Sequence, residues 1–593
     1  MPTPTPRGVM PAAAERSPRP SPPPVRIDDR PPNLPPQLAA PASLVVDERE
    51  TMVVTLGVYD PDAEPPTEPP TKPPTKPTAL RVFALGLPPG ARWDEGTRTL
   101  HFRPDFIQGG TTWPVTFVAD DGEEQTEVTT TIEVRDTIRP PWPRIDQREP
   151  ARGTTRLWLS QVTDEFLDAP HKAGRRFPAI VSRPDPIPAG RRFPVLILLH
   201  GFLEDPRLTG SSDAFVISPA DPACTYWWGY ATDDTGGPAD RPADRPADRP
   251  AEGRPPVVPP YTQRRVLHLL EWVLEHEPAA DPERVFVAGR SMGGAGAATL
   301  GLLRARHFAG VDAWLWQAIP RNHRPLRIAQ LTTHWGAPER DLGDGEPDGL
   351  GVWDRMDLTR ALLEQPQARN QWLFSRHGKD DAVIHFGAAV LPSPLSGISL
   401  YEALQDTGTG HLVVWDEGGH GGWDPVLGAR WWDEGWEPRT DDTTFLRRDL
   451  AFVGFSNASH DDDPGDGGND TRPWDDHRGY AGVMSRPNDT GWAGDRAGML
   501  GGHLRWDAGA IVDQIDRFEV PLRGTQGHPG PWPITVDVTL RRVQRFACRP
   551  GERVDWSFGE RSGEATADAH GELTIADVPI TAQWQTLIVV RRW

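Results

Sequence analysis

Two hydrophobic periods divide the chain. From about residue 36 to 136 apolar positions recur every second residue. In MVVTLGVYDPD, Val54, Leu56 and Val58 alternate with Val53, Thr55 and Gly57; in TEVTTTIEVRD, Val128, Thr130, Ile132 and Val134 share one face. Clusters of Pro, Gly and Asp bound these runs, which predicts half-buried strands. Further along the period changes. FPVLILLHG holds a continuous apolar run, Val195 to Leu199, as expected of a strand covered by helices on both faces. In YTQRRVLHLLEWVLEHEP, Val266, Leu269, Leu270, Val273 and Leu274 line one side of an amphipathic helix ending near Pro278. A short strand, Arg284 to Ala288, follows, and then the small-residue helix GGAGAATLGLL. Strand, helix, strand and helix in that order predict a mostly parallel α/β sheet. Beyond about 441 the period returns to two, with Ile534, Val536, Val538 and Leu540 on one face and TLIVV as a last strand.

This pattern divides the 593 residues into a Pro-rich disordered N-terminus (1–35), a β-domain (36–136), a stiff linker TIRPPWPR (137–144), an α/β domain (145–440) and a β-rich C-terminal domain (441–593). Three low-complexity insertions interrupt it: EPPTEPPTKPPTKP at 64–77, the PADR repeat at 238–255 and the acidic DDDPGDGGND at 461–470. They are expected to be solvated loops. The last lacks the glutamate that closes an EF-hand, so calcium there stays an alternative to a plain loop.

Composition narrows the chemistry. A net charge of −21 repels a nucleic acid backbone. No apolar run is long enough to span a bilayer. The N-terminus lacks the apolar core of a secretory signal, whereas the flanking β-domains favour a secreted or cell-surface protein; the compartment stays open, as does the oligomeric state. Of the two cysteines, Cys224 and Cys548, neither sits in a metal-binding or nucleophile motif, and both are expected to be incidental thiols. Most of the 24 tryptophans are expected in cores or interfaces. Trp227 and Trp228, in CTYWWGY, and Trp423 are the candidates for walls of an acyl or aromatic pocket, with packing as the alternative.

The chemistry concentrates in four short motifs. Gly289-Arg290-Ser291-Met292-Gly293 lies between a predicted strand and a predicted helix. That tight turn exposes a serine hydroxyl, and its glycines permit close backbone approach. His200-Gly201-Phe202 ends the first long apolar strand, where a backbone amide can face a developing oxyanion. The expected donors are Phe202, with Leu203 as alternative, and Met292. HGKDDAVI follows the apolar stretch Trp372 to Phe374 and offers two carboxylates, Asp381 and its rival Asp380, in a loop from which one can reach an imidazole. HLVVWDEGGHGGW places His420 in a glycine-rich loop after a strand. His377 and His385 compete with it but lie close to the acid loop. The chain order Ser, Asp, His is that of α/β-hydrolases.

With FPVLILLHGFLED, DPERVFVAGRSMGG, HGKDDAVI and DEGGHGGWDP, residues from about 175 to 435 resemble the α/β-hydrolase branch of predicted peptidases, polyhydroxybutyrate depolymerase-like esterases and feruloyl esterases. The repeat at 238–255 departs from that pattern and alters the cleft rim. In the N-terminal region LPPGARWDEGTRTLHFRPDF and VTFVADDG resemble Ig-like or cadherin-like modules, some of which bind calcium through aspartates placed like Asp60, Asp62, Asp120 and Asp121; turn formation is the alternative role. The resemblance implies a mostly parallel sheet flanked by helices, with β-sandwich-like accessory domains at both ends. It also implies a serine carboxylic-ester hydrolase with Ser291, Asp381 and His420 as triad. Neither a metal nor an organic cofactor is required, and the substrate is an ester, with a polymeric or surface-bound one suggested by the accessory domains. A prolyl-oligopeptidase-like serine peptidase and an inert hydrolase-fold binding protein are the alternatives.

Overall fold

The structure, a computed structural model, describes residues 33–62, 80–232, 256–421, 446–464, 474–475, 479–480, 498–525 and 530–592, apart from positions 347, 380, 382 and 417. Insertions 64–77 and 238–255, most of the loop 461–470, nearly all of the Pro-rich N-terminus, Asp380 and Trp423 lie outside the described residues.

A ten-stranded mixed sheet forms the centre. Its strands are β1 (Arg144–Ala151), β2 (Thr154–Val162), β3 (Arg176–Pro184), β4 (Phe193–Leu199), β5 (Phe215–Pro219), β6 (Ala280–Arg290), β7 (Gly310–Trp314), β8 (Trp372–Gly378), β9 (Gly410–Asp416) and β10 (Gly498–Leu500). They run in the spatial order 1-2-3-5-4-6-7-8-9-10. The block from β5 through β9 is parallel. The first three strands and β10 add on antiparallel at the two edges. Because β10 belongs to the region expected to form a separate C-terminal domain, that region completes the central sheet.

Eight α-helices occur among the described residues: α1 (Tyr261–His276), α2 (Met292–Leu303), α3 (Pro325–Trp335), α4 (Val352–Arg355), α5 (Leu358–Glu364), α6 (Pro366–Arg369), α7 (Gly387–Val390) and α8 (Leu400–Asp406). In α1 the predicted stripe is realised: Val266, Leu269, Leu270 and Val273 are buried. All eight helices place buried apolar side chains in the same core. That core also takes Val195, Ile197 and Leu199 of β4, Val285 and Val287 of β6, Leu373 of β8, and Val413 and Trp415 of β9. The alternate residues of these strands, Phe286, Trp372, Phe374, Leu412 and Val414, enter a second core on the other face.

The expectation of helices on both faces is therefore corrected. Over the second face lie C-terminal β-layers. One is a three-stranded sheet of Phe452–Ser456, Ile534–Arg541 and Thr574–Ile580; the other includes Arg517–Gly524, Arg553–Phe558 and Gln585–Arg591. Phe452, Phe455, Ile534, Val536, Val538 and Leu540 supply apolar surface to that core. The physical reason is local: the connection from β4 to β5 contains no helix, so the face left bare is apolar and needs another cover.

The N-terminal region forms a four-stranded sheet and a three-stranded sheet that share a core of Leu100, Phe102, Val115, Phe117, Ile132 and Val134. Its aspartates shape turns. Asp60 Oδ1 accepts the Asp62 N–H at 2.8 Å, Asp120 Oδ1 accepts the Gly122 N–H at 2.7 Å, and Asp121 Oδ1 accepts the Glu123 and Glu124 amides at 2.8 Å each. Among the described residues no three His, Cys, Asp or Glu side chains are grouped to hold a metal ion, and no helix is long and apolar enough to cross a membrane.

Candidate active site

The parallel strands end along one edge of the sheet, and the motif residues meet there. Between β6 and α2 the chain reverses at Ser291, which has φ +60° and ψ −127°. A non-glycine residue resists this conformation, and such strain concentrates where a side chain must be presented. The turn is held by the Ser291 N–H, which donates to Trp314 O at the end of β7 at 2.8 Å, and by Ser291 O, which accepts from Ala295 N–H at 3.0 Å. It also needs its glycines. A Cβ on Gly289 would lie 2.2 Å from Gly293 O, and one on Gly293 would lie 2.1 Å from Leu199 O. The close approach of α2 to the end of β4 thus dictates the G-x-S-x-G spacing.

Asp381 and His420 follow β8 and β9. Ser291 Oγ and His420 Nε2 are 2.9 Å apart, and His420 Nδ1 is 2.7 Å from Asp381 Oδ2. The Asp381 side chain is fully buried, while that of His420 is 22% exposed. Asp381 Oδ1 accepts the Val383 and Ile384 amides at 2.7 and 2.9 Å. These amides fix the carboxylate in place. With Nδ1–H donating to Asp381 Oδ2, Nε2 is left to accept from the Ser291 hydroxyl. Beneath the two loops, Arg376 of β8 and Asp416 of β9 form a buried ion pair at 2.8 Å, and Asp416 Oδ1 accepts the Gly418 N–H at 2.8 Å. This pair fixes the root of the histidine loop.

The rival histidines are committed elsewhere. His377 is 1% exposed; its Nδ1 lies 3.0 Å from Tyr401 Oη and its Nε2 lies 3.1 Å from Trp316 O. Burial pushes its pKa down to about 4, so it is a neutral core residue. His385 is buried as well, and burial likewise lowers it to about 4.

Phe202 and Met292 lie at the end of β4 and at the first turn of α2. Among the described residues neither amide has a protein acceptor. The Leu203 N–H, by contrast, donates to Cys224 Sγ at 3.4 Å. Several residues outside the four motifs, which no local pattern singles out, shape this loop. Glu204 Oε2 accepts the Gly201 N–H at 2.9 Å; the same carboxylate faces Arg207 at 3.3 Å and Arg290 of the serine turn at 3.7 Å. Burial would raise the Glu204 pKa, but the Gly201 amide and the two arginines outweigh it and hold the group below its ordinary value. His200 Nε2 accepts the Asp221 N–H at 2.9 Å, which leaves its Nδ1–H to donate to Gly201 O at 2.8 Å. Asp221 Oδ2 in turn accepts from Thr225 N–H and Trp227 N–H at 2.8 and 3.2 Å. It thereby cages a turn in which Cys224, Tyr226 and Trp227 all have positive φ. Arg327 stacks its guanidinium over the Phe202 ring, 3.9 Å from the centroid.

Trp227 and Trp228 take the packing role. Each is 1% exposed; Trp227 Nε1 donates to His200 O and Trp228 Nε1 to Val258 O. The indole of Trp227 lies against Gly296 of α2, where an added Cβ would sit 2.3 Å from its Cδ1. Neither ring borders open space, so the proposed pocket-wall role is corrected for both.

No protein-family model matches the chain, and no curated protein matches it. Solved structures are similar to parts of it. An S-formylglutathione hydrolase from Agrobacterium tumefaciens aligns over 47% of this chain and 92% of its own, with 16% identity and a TM-score of 0.30. A ferulic acid esterase aligns over 45% and 91%, with 18% identity and a TM-score of 0.29. An acylaminoacyl peptidase from Pyrococcus horikoshii aligns over 52% and 50%, with 13% identity and a TM-score of 0.28. The S-formylglutathione hydrolase, the ferulic acid esterase and the acylaminoacyl peptidase each align with about half of this chain.

Proposed function

We propose that this protein is a serine hydrolase that cleaves a carboxylic ester through an acyl-enzyme on Ser291. The observation that carries the reading is the continuous relay from Ser291 Oγ through His420 to Asp381, with both contacts at hydrogen-bond distance. In this reading His420 Nε2 takes the hydroxyl proton as Oγ attacks the carbonyl carbon. The carbonyl electrons move to oxygen, where the Phe202 and Met292 amides receive the charge; one such donor is typically worth about 3 kcal/mol in the transition state. His420 then protonates the departing alcohol as its bond to carbon breaks. Water, deprotonated by His420, attacks the acyl-enzyme, and the acid leaves as Oγ regains its proton. Asp381 stays ionised and steadies the imidazolium throughout.

The division into an α/β catalytic part with accessory β-parts belongs to the same reading, as does a polymeric or surface-bound ester. Both are supported by the C-terminal β-layers packed on the central sheet and by an N-terminal β-region with a core of its own. The test is a panel of p-nitrophenyl acyl esters and peptide anilides on purified protein, with Ser291→Ala as blank. Ester turnover that vanishes in the blank, with no anilide turnover, is the expected result. Anilide turnover would replace the esterase by a peptidase, and inactivity on both would leave a binding protein.

A further inference from the structure

At the far end of α2 from Ser291, about 18 Å along the helix axis, the N-terminal β-region docks on the helical layer. Phe106 of that region enters the helix-side core and meets Phe166 edge-on at 4.9 Å. Beside this contact lies a cavity of about 30 Å³. Roughly half that volume admits one water, so the space fits two waters or one tetrahedral oxyanion group.

Its walls are unusually cationic. Arg49 and Arg103 come from the N-terminal region, Arg264 from α1, and Arg304 and Arg306 from the end of α2. Against these five guanidinium groups stand two carboxylates. Glu346 is taken by Arg304 at 3.0 Å and faces Arg103 at 3.8 Å. Asp105 contacts His307 at 3.1 Å and accepts the Phe106 N–H at 2.8 Å. Among the described residues no carboxylate lies within ion-pair distance of Arg49, Arg264 or Arg306. Arg264 donates to Phe166 O and Arg306 to Arg103 O, both neutral acceptors, so Glu346 and Asp105 act on these two arginines only from beyond ion-pair distance. Arg304 Nε is buried and has no hydrogen-bond partner among the described residues.

Arg49 and Arg264 both lie over the Phe166 ring, 5.8 and 4.6 Å from its centroid, which holds two like charges near each other. Arg49 reaches there from a left-handed backbone at φ +62°, pinned by its N–H to Pro104 O and by its carbonyl to Arg103 Nε. Burial, then the charge of Arg49, bring Arg264 down to about 10. Half-buried like charges held together by a strained backbone are costly without a counter-charge, and planar guanidinium forks suit phosphate and sulfate oxygens.

We infer that this cavity is a binding site for a tetrahedral oxyanion, a phosphate or sulfate group, which bridges the N-terminal β-region to the helical layer. Such an anion neutralises the excess of guanidinium charge from both sides of the junction at once. It does not touch the Ser291 relay, so the inference stands whether or not the hydrolase reading holds.

Calorimetric titration of the full chain with sodium phosphate, sodium sulfate and phenyl phosphate, against sodium chloride at equal ionic strength, tests it. A melting curve under each condition gives a second readout, since a ligand of the folded state raises Tm with its concentration. Saturable binding of phosphate or sulfate and a rise in Tm beyond the chloride control are expected. The Arg49→Gln/Arg264→Gln variant should bind at least tenfold more weakly. Arg49→Gln alone, in a half-buried turn, is the second variant should the pair fold poorly, and it should also weaken binding. Phenyl phosphate binding alongside phosphate points to the headgroup of an ester, and its exclusion points to the free ion; either supports an oxyanion site. Absence of saturable binding to the native chain, or equal binding by native protein and a folded variant, would overturn the inference and leave the arginines as an ionic seam only.

Discussion

The Leu203 amide donates its hydrogen to Cys224 Sγ, 3.4 Å away, while the N–H of its neighbour Phe202 has no protein acceptor among the described residues. The contact turns a cysteine that its sequence context left unremarkable into a support for the proposed oxyanion loop. It also separates the two candidate donors, since the Leu203 amide is occupied and the residue is 78% exposed to solvent.

Replacing this sulfur tests that role. Cys224→Ala removes the acceptor and leaves Ser291, His420 and Asp381 in place. A displaced amide costs transition-state stabilisation and leaves substrate binding nearly intact, so kcat should fall about tenfold with KM little changed. Steady-state kinetics on a p-nitrophenyl ester decide it; an unchanged kcat would assign Cys224 to packing alone.

Glu204 supports the same loop through charge. Glu204→Gln keeps an oxygen for the Gly201 amide but loses the attraction of Arg207 and Arg290, whereas Glu204→Ala loses both. The expected order of kcat is native, then Gln, then Ala, with the Ala variant about tenfold down. Equal kcat in all three would show that the loop holds its shape without this carboxylate.

Gly293→Ala forces a Cβ to 2.1 Å from Leu199 O. Backbone must move, and overpacking of this kind costs about 1–3 kcal/mol. A Tm several degrees lower, together with loss of activity, is the predicted outcome of a thermal melt paired with an assay. A variant that melts and turns over like the native chain would mean that α2 does not press on the end of β4.

The N- and C-terminal β-regions are joined by Glu552. Its two oxygens take Arg81 Nη1 and Nη2 at 2.7 Å each and it also pairs with Arg591. Burial would raise this carboxyl, but Arg81 and Arg591 prevail and pull it from 4.5 to about 2. A depressed folded-state pKa stabilises the fold above the unfolded value and loses that contribution as pH falls through the folded value. Each tenfold gain in acidity corresponds to roughly 1.4 kcal/mol, so the contribution at neutral pH, reduced by solvent screening, is on the order of 2–3 kcal/mol. Glu552→Gln should therefore melt well below the native chain at pH 7, and the gap should narrow between pH 4.5 and 2. A gap independent of pH would assign the loss to packing.

The motifs proposed for catalysis could be picked out in the sequence because each is local. The glycines around Ser291, the acid loop after Trp372–Phe374 and the glycines around His420 carry their conformations in a few consecutive residues. The resemblance to the hydrolase pattern pointed to Asp381, whose Oδ1 accepts the amides two and three residues on. What stayed hidden depends on contacts between distant parts of the chain. Nothing local to Cys224 indicates Leu203, and nothing near Asp221 announces that its amide meets His200. The cover on the second face of the sheet was misjudged for a related reason. A continuous run such as Val195 to Leu199 records that both faces are buried, and it is silent on whether a helix or a strand layer does the burying. Trp227 and Trp228 fall in the same class, since an aromatic pair reads alike in a core and in a cleft.

The central claim is that the hydroxyl of Ser291 is activated by His420. Intact-mass spectrometry after incubation with a fluorophosphonate tests it most directly, comparing the native chain with Ser291→Ala and His420→Ala. One stoichiometric adduct is predicted on the native chain, mapped to Ser291 by peptide analysis, with none on Ser291→Ala and labelling at least about a hundredfold slower on a folded His420→Ala. A native chain that stays unlabelled, or an adduct that survives Ser291→Ala, would contradict it.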